Sequence, residues 1–187
     1  KDYQIISCPG CYPTSILLPL VPLFKSKLVK TRNIIMDSKS GYSGAGRGVH
    51  KKYKDKNLYE SLGSYSVCFH RHNPEIDQML RKFTNKKIDF SFIPHLAPMF
   101  RGILSTIYLD LENNVTQSKI IKELTNFYKK DNFVKVLKSD SLVNTNDVIN
   151  TNNCNISVCK TKYKNKIVIF SAIDNLIKGG AGQGIQN

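Results

Sequence analysis

Several segments rich in β-branched and aromatic residues follow one another too closely for a crossover helix between them, and this spacing constrains the fold most. Residues 89–94 alternate around Phe90 and Phe92, and only His95-Leu96-Ala97-Pro98-Met99-Phe100, which reads as a proline-bounded loop, separates them from the apolar stretch 101–109. Residues 155–161 and 167–172 form a second such pair. Parallel neighbours need a connection of about a dozen residues or more, so these pairs read as hairpin-like. Residues 33–37 and 133–137 add further strand signals.

Helical patterns lie between the strands. Residues 15–24 are dense in Leu and long enough for a buried helix opened by Thr14 or Ser15, while Pro19 and Pro22 predict a bend or an early end. Pro74 opens a second pattern over 74–80, with Glu75 and Asp77 in its first turn. Thr116 is placed to cap an amphipathic segment reaching Lys130 through Ile120, Ile121, Leu124 and Phe127. Residues 49–60 are polar and Lys-rich and read as an exposed excursion, and residues 144–155 read as a polar loop. The expected fold class is α+β, with a mixed, largely antiparallel sheet and packed helices.

A chain of 187 residues with 41% hydrophobic and 22% charged residues has the material for one domain with a sizeable core. It carries 28 Lys and Arg against 14 Asp and Glu, a formal charge of +14. Such an excess favours acidic ligands or nucleic acid when it is concentrated on one face. Here the lysines are scattered among Asn residues along the sequence, which argues against nucleic acid and leaves a phosphate-bearing substrate compatible. No run reaches the roughly 18 apolar residues of a membrane span, and the start lacks the apolar segment of a secretion signal. No membrane partner is expected. Five cysteines without a disulfide framework fit a reducing, cytoplasmic compartment.

Two motifs carry chemistry. Cys8-Pro9-Gly10-Cys11-Tyr12-Pro13-Thr14 has the cysteine spacing of a redox pair or half a zinc site, but no second Cys/His pair follows to complete a metal set, so no metal is expected. A cysteine at a helix start lies in the field of unpaired N–H groups, which lowers a thiol pKa; equally, Cys11 can simply pack at a turn. The second motif, His70-Arg71-His72, stands at a strand-to-helix junction. Rings separated by one residue face different ways, so at most one of the two histidines acts directly as acid or base. A thiol and a proton-passing ring are the minimum set for covalent chemistry at an acyl or aldehyde carbon.

Two glycine-rich stretches stay open between ligand contact and structural turn. Ser40-Gly41-Tyr42-Ser43-Gly44-Ala45-Gly46-Arg47-Gly48 permits close backbone approach but lacks both the Lys-Ser/Thr ending of a phosphate loop and the spacing of a dinucleotide fingerprint. The tail Gly179-Gly180-Ala181-Gly182-Gln183-Gly184 likewise allows close packing against another surface or a cofactor.

In order, Pro9-Gly10-Cys11-Tyr12-Pro13-Thr14, the segment from Ser40 to Arg47, His70-Arg71-His72-Asn73-Pro74-Glu75-Ile76, Pro94-His95-Leu96-Ala97-Pro98-Met99-Phe100-Arg101-Gly102 and Ile173-Asp174-Asn175-Leu176-Ile177-Lys178-Gly179 resemble the N-acetyl-gamma-glutamyl-phosphate reductase family. The resemblance spans nearly the whole chain. It implies that residues 1–187 are a catalytic and dimerisation domain, similar to the C-terminal domain of semialdehyde dehydrogenases, and that the N-terminal dinucleotide-binding domain is missing from this chain. It implies NADPH-dependent reduction of N-acetyl-glutamyl 5-phosphate to the 5-semialdehyde and phosphate through a cysteine thioester, in arginine biosynthesis, within a homodimer or homotetramer. Cys11 takes the nucleophile's place, Cys8 being a neighbour at a position more often filled by Asn. His70 is the implied proton carrier with His72 as its alternative, and Arg71 or Arg101 meets the substrate's anionic groups. Gly44, Gly46, Asn175, Gly179 and Gly182 are the implied contacts to NADP(H). Two alternatives remain: the related reductase of a carrier-linked aminoadipyl phosphate in lysine synthesis, and a noncatalytic oligomerisation module. The fragment alone is expected to turn over negligibly.

Overall fold

The computed structural model describes residues 4–45 and 59–187. One sheet of seven strands runs through them, in the order β2-β3-β1-β4-β7-β6-β5. The strands are β1 (Ile34–Ser40), β2 (Gly63–Ser64), β3 (Phe90–Leu96), β4 (Ile103–Asp110), β5 (Val134–Val136), β6 (Cys154–Lys160) and β7 (Lys166–Ile173). Only β1–β3 and β5–β6 are parallel pairs, so the sheet is mixed and largely antiparallel as the spacing predicts.

The two closely spaced pairs resolve differently. β6 and β7 form a direct antiparallel hairpin. β3 and β4 are antiparallel too, but β1 lies between them, parallel to β3 and antiparallel to β4. Short sequence separation fixes relative direction; it does not prevent a distant strand from inserting. The expected loop at His95 also starts later, because β3 continues through His95 and Leu96, paired with Lys39 and Ser40 of β1.

Helix α1 (Cys11–Lys25) packs on β4 and β7. It begins earlier than the sequence suggests. Gly10 is its N-cap, and Thr14 and Ser15 lie inside the helix, their hydroxyls donating to the carbonyls of Gly10 and Tyr12, each at 2.9 Å. Pro19 and Pro22 do not end it. An interior proline costs about 3 kcal/mol, whereas burying one large aliphatic side chain contributes about 1.5–3 kcal/mol, and Tyr12, Ile16, Leu17, Leu20, Leu23 and Phe24 are all buried. Pro22 has no N–H for the Leu18 carbonyl, and the Tyr128 hydroxyl donates to that oxygen at 2.5 Å instead. Tyr128→Phe is therefore expected to destabilise the protein by about 1–3 kcal/mol, read by denaturant unfolding, because the carbonyl loses its partner. A change indistinguishable from zero contradicts this account of the proline.

Helices α2 (Asn73–Thr84) and α3 (Gln117–Phe127) complete the layer around α1. Thr116 caps α3 as expected, its side chain accepting from the Lys119 N–H at 3.3 Å. Ser105 of β4 exchanges hydrogen bonds of 2.7 Å with both Ser15 and Ser38, so a buried hydroxyl chain joins α1 to β4 and β1. Ile34, Met36, Ile107, Ile156 and Ile169 fill the same side of the sheet. The alternate positions face away from α1, leaving Ile35 and Tyr108 exposed beside the Lys39–Asp37 ion pair at 2.7 Å. After β7 the chain makes a π-helical turn, Ile177–Ala181, and the short helix α4 (Gly182–Gln186). Most of the 49–60 excursion lies outside the described residues.

Candidate active site

The N-terminus of α1 opens onto a cavity of about 250 Å³ whose lining includes Cys11, Gly44, Tyr65, His70, Arg71 and His72. Gly10 and Pro9 lead into α1, and Cys11 is its first residue. The Gly10 N–H donates to Glu75 Oε1 of α2 at 2.9 Å. A methyl group on Gly10 would stand 2.4 Å from His72 Nε2, so the imidazole occupies the space a side chain would need. His72 is itself the N-cap residue of α2. Two helix starts thus meet at the cavity, one bringing the thiol and the other the histidines.

The two rings are 4.7 Å apart between centroids and tilted by 64°. His70 Nδ1 accepts the backbone N–H of His72 at 3.1 Å, which puts the hydrogen of the neutral ring on Nε2 and makes Nδ1 its basic nitrogen. Its ring also lies edge-on to Tyr12 and Tyr65, at 5.5 Å from each. His72 Nδ1 is buried and has no hydrogen-bond partner among the described residues. Burial and then the Arg71 charge lower the His70 pKa; burial, His70 and Arg71 lower that of His72 to about 4. Both shifts favour the uncharged ring at neutral pH.

The thiol departs from the expectation of a lowered pKa. Burial pushes Cys11 up, which outweighs the downward pull of the Tyr12 and Cys11 N–H groups and of Arg71, and Glu75 adds to the rise. The field of the helix start is present but is the smaller effect. A nucleophilic role for this thiol therefore needs a group that takes its proton, and neutral rings line the same cavity.

The other candidate residues divide. Gly44 reaches the cavity, whereas Gly46 lies outside the described residues. Arg101 does not line the cavity: its Nη1 bonds to Asn150 Oδ1 and lies 3.4 Å from the buried Asp174 carboxylate. Asn175 uses its amide structurally, accepting from the Gly102 N–H at 2.7 Å and donating to Ser43 Oγ at 3.0 Å. Gly179 is packed on the nucleophile candidate, since a methyl group there would lie 2.6 Å from Cys11 Cβ; at Gly182 it would lie 2.5 Å from an Ile177 methyl. At both positions packing leaves no room for a side chain. Sequence reasoning missed Glu75 as the anchor of Gly10 and Tyr12 as the link to Tyr65, whose hydroxyls are 3.1 Å apart. The only available signals were Glu75 in a helix's first turn and Tyr12 beside Cys11.

Residues 11–175 match the family described as semialdehyde dehydrogenase, dimerisation domain. The chain is 45% identical over 187 residues to N-acetyl-gamma-glutamyl-phosphate reductase of Desulforamulus reducens, an alignment covering 100% of this chain and 54% of that protein. It is also 45% identical over 191 residues to a probable chloroplastic N-acetyl-gamma-glutamyl-phosphate reductase of Arabidopsis thaliana, covering 100% of this chain and 47% of that protein. The chain spans about half the length of these relatives. Among solved structures, a probable aspartate-semialdehyde dehydrogenase from Pseudomonas aeruginosa superposes with a TM-score of 0.76 at 14% identity, over 97% of this chain and 60% of that one, which establishes the shared fold.

Proposed function

Because the chain belongs to the semialdehyde dehydrogenase dimerisation-domain family, we propose that it is the acyl-transfer and self-association part of a reductase converting N-acetyl-glutamyl 5-phosphate to its 5-semialdehyde and phosphate, in arginine biosynthesis. The observation that carries this reading is the meeting of Cys11 with His70, Arg71 and His72 in one cavity. The Cys11 sulfur bonds to the acyl carbon, the bond from that carbon to the phosphate oxygen breaks, and a thioester and inorganic phosphate result. Arg71 is the remaining candidate for a paired contact with the substrate's carboxylate or phosphate. His70 carries the proton by taking it from the thiol at Nδ1, in place of the His72 N–H, and giving up the one on Nε2. The contact between His72 and Gly10, next to the nucleophile, favours His72 as the alternative.

The resemblance implies NADP(H), which supplies hydride when bound. Among the described residues Gly179 and Gly182 pack closely on Cys11 and Ile177 and the Asn175 amide is engaged within the chain, while the cavity of about 250 Å³ suits a small acyl group. The role proposed for this chain is therefore limited to acyl transfer, with hydride delivery assigned to the remainder of a longer protein. Self-association is proposed on the sheet face that carries Ile35 and Tyr108. Among the described residues no helix is long and apolar enough to cross a membrane.

Full-length protein assayed in parallel with N-acetyl-glutamyl phosphate and a carrier-linked aminoadipyl phosphate is expected to reduce the first at least tenfold more efficiently, a margin of about 1.4 kcal/mol in transition-state stabilisation. Preference for the second substrate transfers the assignment to lysine synthesis. Activity with neither, in folded protein that binds the cofactor, leaves the noncatalytic oligomerisation reading.

A further inference from the structure

Lysines scattered in the sequence are gathered by the fold. The sheet register puts Ser40, Leu96, Ile103 and Ile173 at the end near the Cys11 cavity, and Ile34, Phe90, Asp110, Lys160 and Lys166 at the opposite end. There the tip between β6 and β7 carries Lys160, Lys162, Lys164 and Lys166, all exposed and alternating with Thr161, Tyr163 and Asn165. Tyr163 is 67% exposed. The Leu111 N–H donates to the Asn165 carbonyl at 2.8 Å and the Lys30 N–H to the Asp110 carbonyl at 2.9 Å, which brings the segment of Lys27, Lys30 and Arg32 beside the tip. The Asp89 N–H reaches the Thr31 carbonyl at 2.8 Å, adding Lys86 and Lys87 to the same end. The carboxylates at this end include Asp89, Asp110, Glu112, Asp140, Asp77 beside Arg32 and Lys87, and Glu123, which accepts from Ser26; Asp110 is paired to Lys166 at 3.2 Å and Asp77 to Arg81, and the lysines and arginines of the same segments outnumber them. A groove of about 330 Å³ beside the tip is lined by the four lysines and Tyr163.

We propose that this end of the domain binds single-stranded nucleic acid, with the lysines tracking backbone phosphates and Tyr163 offering its ring to an unpaired base. The argument from scattered lysines against such a partner holds along the sequence but not in space. Alternation of cations with an exposed aromatic suits a single strand, whose bases are free to stack. The surface is at the opposite end of the sheet from the Cys11 cavity and is independent of the chemistry proposed there.

The test is fluorescence anisotropy of the full-length protein with a labelled single-stranded RNA of about 20 nucleotides, titrated at several salt concentrations. The triple variant Lys160→Glu, Lys162→Glu, Lys164→Glu is expected to weaken binding at least tenfold and to flatten the log–log salt slope by about 2. Tyr163→Ala is expected to weaken it by about tenfold with the slope unchanged. A charge-matched triple, Lys129→Glu, Lys130→Glu, Lys135→Glu, is expected to lose far less, with circular dichroism checking the fold of each protein. If the first triple misfolds, replacement of the same three lysines by Gln takes its place. Absence of binding at low salt, equal loss in both triples, or equal affinity for an abasic oligomer or for anionic vesicles overturns the proposal.

Discussion

Cys11→Ser in the full-length protein is expected to lower reduction of the acyl phosphate by roughly a thousandfold or more, with folding and dinucleotide binding little changed. The substitution keeps the size of the side chain and its place as first residue of α1, but a hydroxyl holds its proton far more tightly than a thiol. The burial that already pushes the Cys11 thiol up penalises a charged oxygen at the same position as well. Cys8→Ser is expected to cost no more than a few-fold, because Cys8 is exposed and its sulfur accepts from the Asn187 side chain at 3.4 Å. Steady-state kinetics of both variants checks this. A Cys11→Ser enzyme within tenfold of the parent removes Cys11 from the mechanism.

Asp174→Ala is expected to destabilise the protein by about 3–5 kcal/mol. The side chain is wholly buried at the end of β7, and its oxygens accept the N–H groups of Asn150 at 2.7 Å, Leu176 at 2.8 Å and Ile177 at 2.9 Å. Arg101 Nη1 stands 3.4 Å away. Removing the carboxylate leaves three backbone donors without their acceptor and takes the opposite charge away from Arg101, which keeps only its bond to Asn150, and the turn that presses Gly179 against Cys11 starts from those donors. Asp174→Asn, which retains one acceptor oxygen, is expected to lose less. Denaturant unfolding measures both. A loss below about 1 kcal/mol for the alanine variant contradicts the anchoring role.

Fold class was legible because periodicity and spacing are local properties. Alternation marked the strands, and the short link between β6 and β7 fixed their pairing. The insertion of β1 between β3 and β4 was not legible, since pairing between distant segments depends on which faces the whole chain buries. Tertiary partners likewise overrode local propensity in α1, where Tyr128 satisfies the Leu18 carbonyl and apolar burial offsets the cost of two prolines. At the site, motif order drew attention to Cys11 and the histidines, but not to the balance of charge and burial that raises the thiol pKa. Arg71 and Arg101 looked equivalent as anion ligands in the sequence; only the fold shows Arg101 held at Asp174 while Arg71 lines the cavity. Gly179 illustrates the same limit, because a glycine required by a neighbouring Cβ reads the same as one required by a ligand.

The central claim, that Cys11 becomes acylated, is tested most directly by mass spectrometry of full-length protein exposed to N-acetyl-glutamyl phosphate without a hydride donor. The account predicts one acyl group per chain, released by hydroxylamine and located by fragment ions on Cys11 rather than Cys8. An acyl group on Cys8 or on another side chain, or turnover-competent protein that never accumulates an adduct, contradicts it.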